Sequence, residues 1–249
     1  MTFFREPPPT SLDIKYTIAD IPVRIHPLFW LLPIAFGLGA GSVSLILIWV
    51  LVVFFSILIH EYGHAITFRL FGLNASIVMY LFGGLAIPGF PRHGGRIDLS
   101  PAKRIIISLA GPFAGFLLAG ITIAIVMASG GIVYMATLFD IIPLPQAIIP
   151  GGRELNYAVN ALLWINIFWG LINLMPVIPL DGGQVSLQLF MYFDPGGGIR
   201  NALWLSVITG AALAVAGFTL MNSIYMAFLF GMLAFQSFQA VNGRSGSLF

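Results

Sequence analysis

Six apolar segments are separated by connections of 2 to 30 residues along the chain. Five of them are 19 to 29 residues long, close to or above the roughly 20 residues that an α-helix needs to cross a bilayer. The first segment has only 14 residues, so we expect it to tilt little or to continue into the preceding IPVR at 21–24. The pattern predicts an all-α polytopic membrane protein with about six transmembrane helices, over residues 25–38, 43–71, 102–127, 155–175, 199–218 and 221–239.

One helix start is marked especially clearly. Ser100 and Pro101 precede the third apolar segment. Serine is a favoured N-cap residue, and proline suits the first helical position because the amide that it lacks has no partner there. The pair therefore predicts the start of the third helix at this point.

The composition indicates that lipid is the main solvent of this chain. Hydrophobic residues make up 59% of the 249 positions and charged residues only 8%, whereas a soluble domain carries about 25% charged residues. The net charge of +2 comes without a basic cluster, so we expect no nucleic-acid partner. There is no cysteine, which excludes disulfides. The polar, proline-rich residues 1–20 lack the apolar core of a cleavable signal peptide.

Positive charges are divided unequally between the two sides of the predicted bundle. With six spans, ten of the eleven basic residues fall on the side of the chain termini and only Arg153 on the other. By the positive-inside rule this places both termini in the cytoplasm. We therefore predict a cytoplasmic segment 1–24, a membrane domain 25–240 and a short cytoplasmic tail 241–249. The ten residues are Arg5, Lys15, Arg24, Arg69, Arg92, Arg96, Lys103, Arg104, Arg200 and Arg244.

The second apolar segment contains HEYGH at 60–64. His60 and His64 are four residues apart, so on a helix they share one face and can hold one metal ion. Glu61 flanks that face, where it could take a proton from a water activated by zinc without being a ligand itself. The alternative is a pair of core histidines that hydrogen-bond to neighbouring helices. A glutamate buried at membrane depth is costly, however, which favours a functional site.

Two histidines do not complete a catalytic zinc site, which usually has three protein ligands. Asp181 is the preferred third ligand, because NLMPVIPLDGGQ at 173–184 follows the fourth segment on the same side as the end of the second. Pro176 and Pro179 would break the helix there. The alternative for LDGG is an ordinary helix-ending turn. All candidates for the third ligand are His26, His93, Asp98, Asp140, Glu154, Asp181 and Asp194.

Three further stretches carry weaker signals. Residues 73–99 are rich in glycine and proline and predict extended chain or a hairpin beside the second span, whose exposed edge could pair with a substrate strand; a plain cytoplasmic loop is the alternative. Asn166 and Asn173 share a helical face, which fits either interhelical hydrogen bonding or a substrate role. His93 is expected to be an exposed loop residue, and residues 132–153 are expected along the opposite membrane surface.

Several of these motifs, in this order, resemble the site-2 protease family of intramembrane zinc metalloproteases. They are IPVRIHPLF at 21–29, HEYGH at 60–64, FGG at 82–84, LAGP at 109–112 and NLMPVIPLDGG at 173–183. The resemblance implies that His60, His64 and Asp181 bind one zinc ion and that Glu61 is the general base. It also implies a re-entrant β element in 73–99, and contacts of Asn173, Gly83 and Gly84 with the substrate or its oxyanion. The chain looks like a compact form of the family without PDZ or CBS domains.

Two functions of different classes remain open. The first is a zinc endopeptidase in a prokaryotic cell membrane, which would cut single-span or membrane-anchored proteins near the cytoplasmic face. Its substrate helix would have to unwind before a peptide bond became accessible. The second is a metal transporter or sensor that uses the same His/His/Asp cluster. Glu61 separates them, because hydrolysis needs a base beside the ligands and metal transit does not.

Overall fold

A computed structural model gives the fold of residues 6–92, 94–95, 97–138 and 142–243. The chain is mostly helical with two small sheets. Its helices are α1 (Leu31–Gly37), α2 (Val43–Leu70), α3 (Pro101–Ala128), α4 (Arg153–Trp164), α5 (Gly170–Asn173), α6 (Asp181–Phe193), α7 (Gly198–Thr219) and α8 (Ile224–Val241). Its strands are β1 (Ile14–Ile18), β2 (Ile21–Ile25), β3 (Leu73–Tyr80), β4 (Gly83–Pro91), β5 (Ile132–Leu138) and β6 (Ile142–Ile148).

Five helices are long and apolar enough to cross a membrane: α2, α3, the continuous helix Arg153–Asn173, α7 and α8. Each begins and ends within three residues of its predicted span. The 28 residues of α2 correspond to about 42 Å at 1.5 Å per residue, more than the roughly 30 Å hydrocarbon core. At the start of α3 the Lys103 amide donates to Ser100 Oγ at 3.4 Å, as the Ser-Pro pair predicted.

The first apolar segment is a shorter helix. The helical residues Pro27–Ala40 consist of α1 between two 3₁₀ turns, and they end before Gly41, whose φ of +84° breaks the helix. This length spans less than the hydrocarbon core by itself, so the described residues contain five candidate spans rather than the six expected. The all-α prediction was also incomplete, because it did not include a four-stranded sheet.

The chain divides into two compact units. Among the described residues, the first unit lies within Phe3–Asp98 and Ala110–Gly170, and the second lies within Leu99–Leu109 and Leu171–Phe249. In the first unit β1-β2-β3-β4 form one sheet, with β2 and β3 parallel and the other neighbours antiparallel. The β3–β4 hairpin confirms the extended segment expected in 73–99. One face of the sheet packs on α2, where Ile77 and Met79 join a core with Leu58 and Ala65.

The N-terminal residues are part of the first unit, through a polar clamp on β2. Arg24 donates to Asp13 at 3.0 Å, to Glu6 at 2.7 Å and to the Pro7 carbonyl at 2.9 Å. The Thr10 hydroxyl donates to Asp13 at 2.6 Å. This hydroxyl bond lowers the pKa of Asp13, and the bonds from the Thr10 amide and from Arg24 lower it further. Partial desolvation acts in the opposite direction, and the resulting pKa is about 2. Residues 1–24 were predicted only as a cytoplasmic segment, so β1 and β2 were missed, although IKYTI and IPVRI both have apolar residues at every second position.

A second hairpin, β5–β6, covers one end of the α3–α4 pair, where Ala147 joins a core with Val126 and Val159. Prolines such as those at 143 and 145 are uncommon within strands, because they have no amide hydrogen to donate. They are accommodated because alternate amides of β6 point away from β5. At Ala147 that outward position is filled by Asn160 of α4, whose side chain accepts from the Ala147 amide at 2.9 Å and donates to its carbonyl at 2.8 Å.

The second unit is built on the antiparallel pair α7 and α8. Gly210 lets the two helices approach, since a Cβ there would lie 3.1 Å from that of Ala234. Helix α6 packs on this pair through Leu187, which shares a core with Ala202 and Leu203. The irregular residues 174–180 precede α6. The predicted break after the fourth span is therefore confirmed.

Candidate metal centre

His60, Glu61 and His64 form one cluster on α2. Their potential ligand atoms all lie within 4.8 Å of one another, and the part of the chain that the structure describes holds no other such group. His60 Nε2 and His64 Nε2 are 3.2 Å apart, and the two rings are inclined at 76°. Glu61 and His64 are buried in a mostly apolar helix. The cluster could therefore hold a metal ion.

The nitrogen positions fit a tetrahedral ion. Two histidine nitrogens at about 2.05 Å from one zinc ion lie about 3.3 Å apart when the angle between them is tetrahedral. The observed separation of 3.2 Å is close to this value.

Room for an ion is left by a glycine on α3. A Cβ at Gly111 would collide with Nε2 of His64 and would lie 2.6 Å from Nε2 of His60. Only a residue without a side chain fits there. Gly111 belongs to LAGP at 109–112, so this motif borders the metal cluster.

Gly63, inside HEYGH, brings the two helices together. A Cβ at Gly63 would collide with the carbonyl oxygen of Ala110 and would lie 3.0 Å from Cβ of Ala114. Small residues at helix contacts in membranes allow such close approach. Neither Gly63 nor Gly111 was assigned a packing role from the sequence, although a glycine inside a helical segment often marks a close contact.

The β3–β4 hairpin borders Glu61. Gly84 lies directly against this side chain, and a Cβ there would be 2.7 Å from Glu61 Oε1. Gly83 has a φ of +129°, which favours glycine in the turn between the strands. Tyr80, at the end of β3, is 7% exposed.

Asn166 joins two helices of the first unit. Its side-chain amide donates to Ser56 Oγ of α2 at 2.9 Å and to the Leu162 carbonyl at 2.9 Å. It lies in a π-helical turn, Ile165–Trp169, between α4 and α5. Asn166 therefore makes a hydrogen bond between helices, which is one of the two roles predicted for it; the other was a substrate contact. Asn173 ends α5 and is buried.

The other candidate ligands have different surroundings. His26 Nδ1 accepts from the Leu28 amide at 3.2 Å and so caps a 3₁₀ turn. Asp194 accepts from the Gly197 amide at 3.0 Å, and Asp98 and Glu154 are exposed. None of these four belongs to a metal group among the described residues. His93 and Asp140 lie outside the described residues.

Asp181 is the first residue of α6, in the second unit. Gly182 lies against the carbonyls of Leu174 and Met175, and Gly183 lies against Val177, with no room for a Cβ at either position. The two glycines thus let the 174–180 segment fold back on the first turn of α6. The role of Asp181 as a ligand stays a prediction.

The fold and cluster agree with comparisons to known proteins. Residues 48–194 match the sequence profile of Peptidase family M50, which is more than half of the chain. The chain belongs to this family. The matched region includes HEYGH, both strands of the β3–β4 hairpin and the LDGG segment.

Curated relatives match over much of the chain. A zinc metalloprotease of Methanocaldococcus jannaschii is 28% identical over 174 residues, covering 68% of this chain and 43% of its own. The protein Rip3 of Mycobacterium tuberculosis is 24% identical over 227 residues, covering 86% of this chain and 47% of its own. The chain thus spans less than half the length of these relatives.

A solved structure has the same fold. The site-2 protease from Methanocaldococcus jannaschii superposes with a TM-score of 0.54 at 20% identity, over 92% of this chain and 95% of that one. Together with the five apolar helices, the likeness identifies an integral membrane protein of the site-2 protease fold.

Proposed function

We propose that this protein is an intramembrane zinc endopeptidase that hydrolyses peptide bonds in or near transmembrane segments of other membrane proteins. The observation that carries the proposal is the pair of imidazole Nε2 atoms 3.2 Å apart on α2, with the Glu61 carboxylate in the same cluster. The names of the curated relatives support zinc as the ion. His60 and His64 would supply two ligands and Asp181 the third, one zinc per chain.

Each residue has a distinct role in this proposal. Zinc, when bound, supplies a Lewis acid that lowers the pKa of a coordinated water to about 7. Glu61 receives the proton of the attacking water on its carboxylate and passes it to the leaving amine nitrogen. The apolar side chains of α2, and the lack of a side chain at Gly111, keep other side chains away from the reacting atoms. Asn173 and the Gly83–Gly84 backbone would orient the substrate carbonyl.

The substrate could bind as an added strand along β4. In the sheet order β1-β2-β3-β4, strand β4 is at the edge, and its first residues, 83–87, contain no proline. A peptide paired with this edge would lie near Glu61, because Gly84 is in contact with that side chain. Strand addition also requires an extended substrate, so residues that destabilise the substrate helix would promote cleavage.

The proposal includes a six-span topology with a re-entrant hairpin. The β3–β4 hairpin packs on α2 beside Leu58, sixteen residues into a 28-residue helix, which supports its placement at membrane depth. If Pro27–Ala40 completes a first crossing, both termini lie on one side. The distribution of basic residues makes that side the cytoplasm.

The decisive test is Glu61→Gln. Wild type and variant are co-expressed with candidate single-span substrates, and cleavage is compared on gels while zinc is measured by elemental analysis. We expect the cleavage rate to fall about 10²- to 10⁴-fold, the usual contribution of a general base, with zinc content close to that of wild type. His60→Ala is the matched control, which should lose both cleavage and bound zinc.

Two results would overturn the proposed activity, and a third would overturn the proposed topology. A Glu61→Gln variant that cleaves as fast as wild type would exclude Glu61 as the base. If no substrate is cleaved and metal flux into vesicles depends on His60 and His64, the protein is a transporter instead. A reporter after Phe249 that is extracytoplasmic would reverse the proposed topology.

A further inference from the structure

Two buried serines connect helices α7 and α8 to the segment that precedes Asp181. Ser206 Oγ accepts a hydrogen bond from the Ile178 amide at 2.9 Å. The same oxygen lies 2.8 Å from Ser237 Oγ on α8. Ser206 and Ser237 are 0% and 1% exposed. A hydroxyl can both accept and donate, and either serine can be the donor in the bond between them. The three groups therefore form a continuous chain from Ile178 through Ser206 to Ser237.

Within the 174–180 segment, the Ile178 amide is the one that bonds to a side chain rather than to a backbone carbonyl. The amides of Leu174 and Met175 bond to the end of α5, and those of Val177 and Leu180 bond within the segment. Positions 176 and 179 are prolines without an amide hydrogen. Ile178 is 1% exposed, so its amide has no access to water. Only the hydroxyl of Ser206 satisfies it, and a buried amide without a partner is strongly unfavourable.

The position of Ile178 determines where α6 begins. A Cβ at Gly183 would lie 2.5 Å from the Val177 carbonyl and 2.6 Å from the Ile178 nitrogen, so this peptide group lies directly against the first turn of α6. Asp181 is in that turn. A displacement of the Val177–Ile178 peptide would therefore displace Asp181.

The Ser206 side chain differs from an ordinary helical hydroxyl. Thr122 and Thr219 each donate to a carbonyl four residues earlier in their own helix, at 2.8 Å. Ser206 instead bonds to another segment and another helix. Interhelical hydrogen bonding between α7 and α8 would explain Ser237, but it does not explain the bond to Ile178.

We propose that Ser206 and Ser237 are positioning residues that hold Asp181 in place for metal binding. The inference depends on the proposed role of Asp181 as a zinc ligand. Residues that orient metal ligands typically contribute about 10- to 100-fold to metal affinity. Since Ser206 acts through the peptide backbone, we place its effect near the lower end.

The test measures zinc affinity of the purified full-length protein in detergent by competition with a chromogenic chelator. We expect Ser206→Ala to raise the zinc Kd about tenfold and Ser237→Ala to raise it by a smaller factor. In the Asp181→Ala background Ser206→Ala should cause no further change, because its effect acts through Asp181. Ser237→Ala retains the Ile178 bond, so it provides the comparison if Ser206→Ala folds poorly.

Ser223→Ala is the matched control. Ser223 caps α8 by accepting from the Met226 amide at 3.3 Å, at the end of the helix pair opposite to Ser237. Its loss destabilises the same helix pair, but the zinc Kd should stay at the wild-type value. An equal loss of affinity in Ser223→Ala would reduce the effect to general destabilisation and overturn the inference.

The remaining outcomes separate the inference from the proposed function. Unchanged zinc affinity in both Ser206→Ala and Ser237→Ala, with weaker binding in Asp181→Ala, would overturn the inference and leave Asp181 as a ligand. If Ser206→Ala raised the zinc Kd further in the Asp181→Ala background, the inference would also be overturned. Unchanged affinity in Asp181→Ala would exclude Asp181 as a ligand, and with it a positioning role for the serines.

Discussion

The Gly111→Ala substitution tests the metal centre most directly, because it adds one methyl group beside both imidazoles. The new Cβ would lie 2.6 Å from Nε2 of His60 and closer still to that of His64. Non-bonded heavy atoms normally approach to about 3.5 Å, so the rings or α3 must move by about 1 Å. Metal–ligand distances are held within about 0.2 Å. One methyl group therefore displaces at least one ligand beyond that range.

Helix α3 cannot easily accommodate the methyl group by moving away. Gly63 of α2 lies directly against the Ala110 carbonyl, and separating the helices would break this contact. We therefore expect the zinc Kd to rise by about 10- to 100-fold, the typical effect of misplaced ligands, which corresponds to about 1.4 to 2.7 kcal/mol.

The assay is chelator competition on the purified protein, with Gly120→Ala as control. Gly120 lies on the same helix with nothing within 4 Å of a Cβ. Alanine is a better helix former than glycine by about 0.8–1.0 kcal/mol, so this variant should keep the wild-type zinc Kd and lose no stability. If Gly111→Ala binds zinc within twofold of wild type, the ion does not bind between these imidazoles.

Three further predictions concern the surrounding structure. Gly84→Ala, whose methyl group would displace the Glu61 carboxylate, should reduce proteolysis by about 10²-fold and leave the zinc Kd near wild type; full activity would contradict the contact. Because the pKa of Asp13 is lowered to about 2 from about 3.9 in an unfolded chain, the clamp is fully stabilising above about pH 4 and is lost as the pH falls through about 2. Asp13→Asn should thus lower the melting temperature at pH 7, and the difference from wild type should disappear near pH 2. Asn160→Leu should accelerate hydrogen exchange of the Ala147 amide by about tenfold, and unchanged exchange there would exclude the side-chain cap on β6.

The membrane spans could be predicted because each is a local property of the chain. A helix at membrane depth satisfies its own backbone, so a run of apolar residues between Gly, Pro and Ser signals is sufficient to locate it. The sheet could not be predicted in this way. β1 and β2 are short, and the pairing of β2 with β3 joins residues more than fifty positions apart. β6 contains two prolines, and a strand tolerates them only where the missing amide would point away from its partner strand, which the packing against α4 decides.

The metal cluster, too, could be predicted from the sequence only in part. HEYGH by itself determined that two imidazoles and a carboxylate share one part of a helix, because the helical repeat places residues four apart on one face. Only the tertiary structure decided what borders that face: Gly111 beside the imidazoles, Gly84 against Glu61, and Ser56 bonded to Asn166. These contacts join segments that are distant in sequence, and no periodicity records them, because they arise from the packing of one element against another.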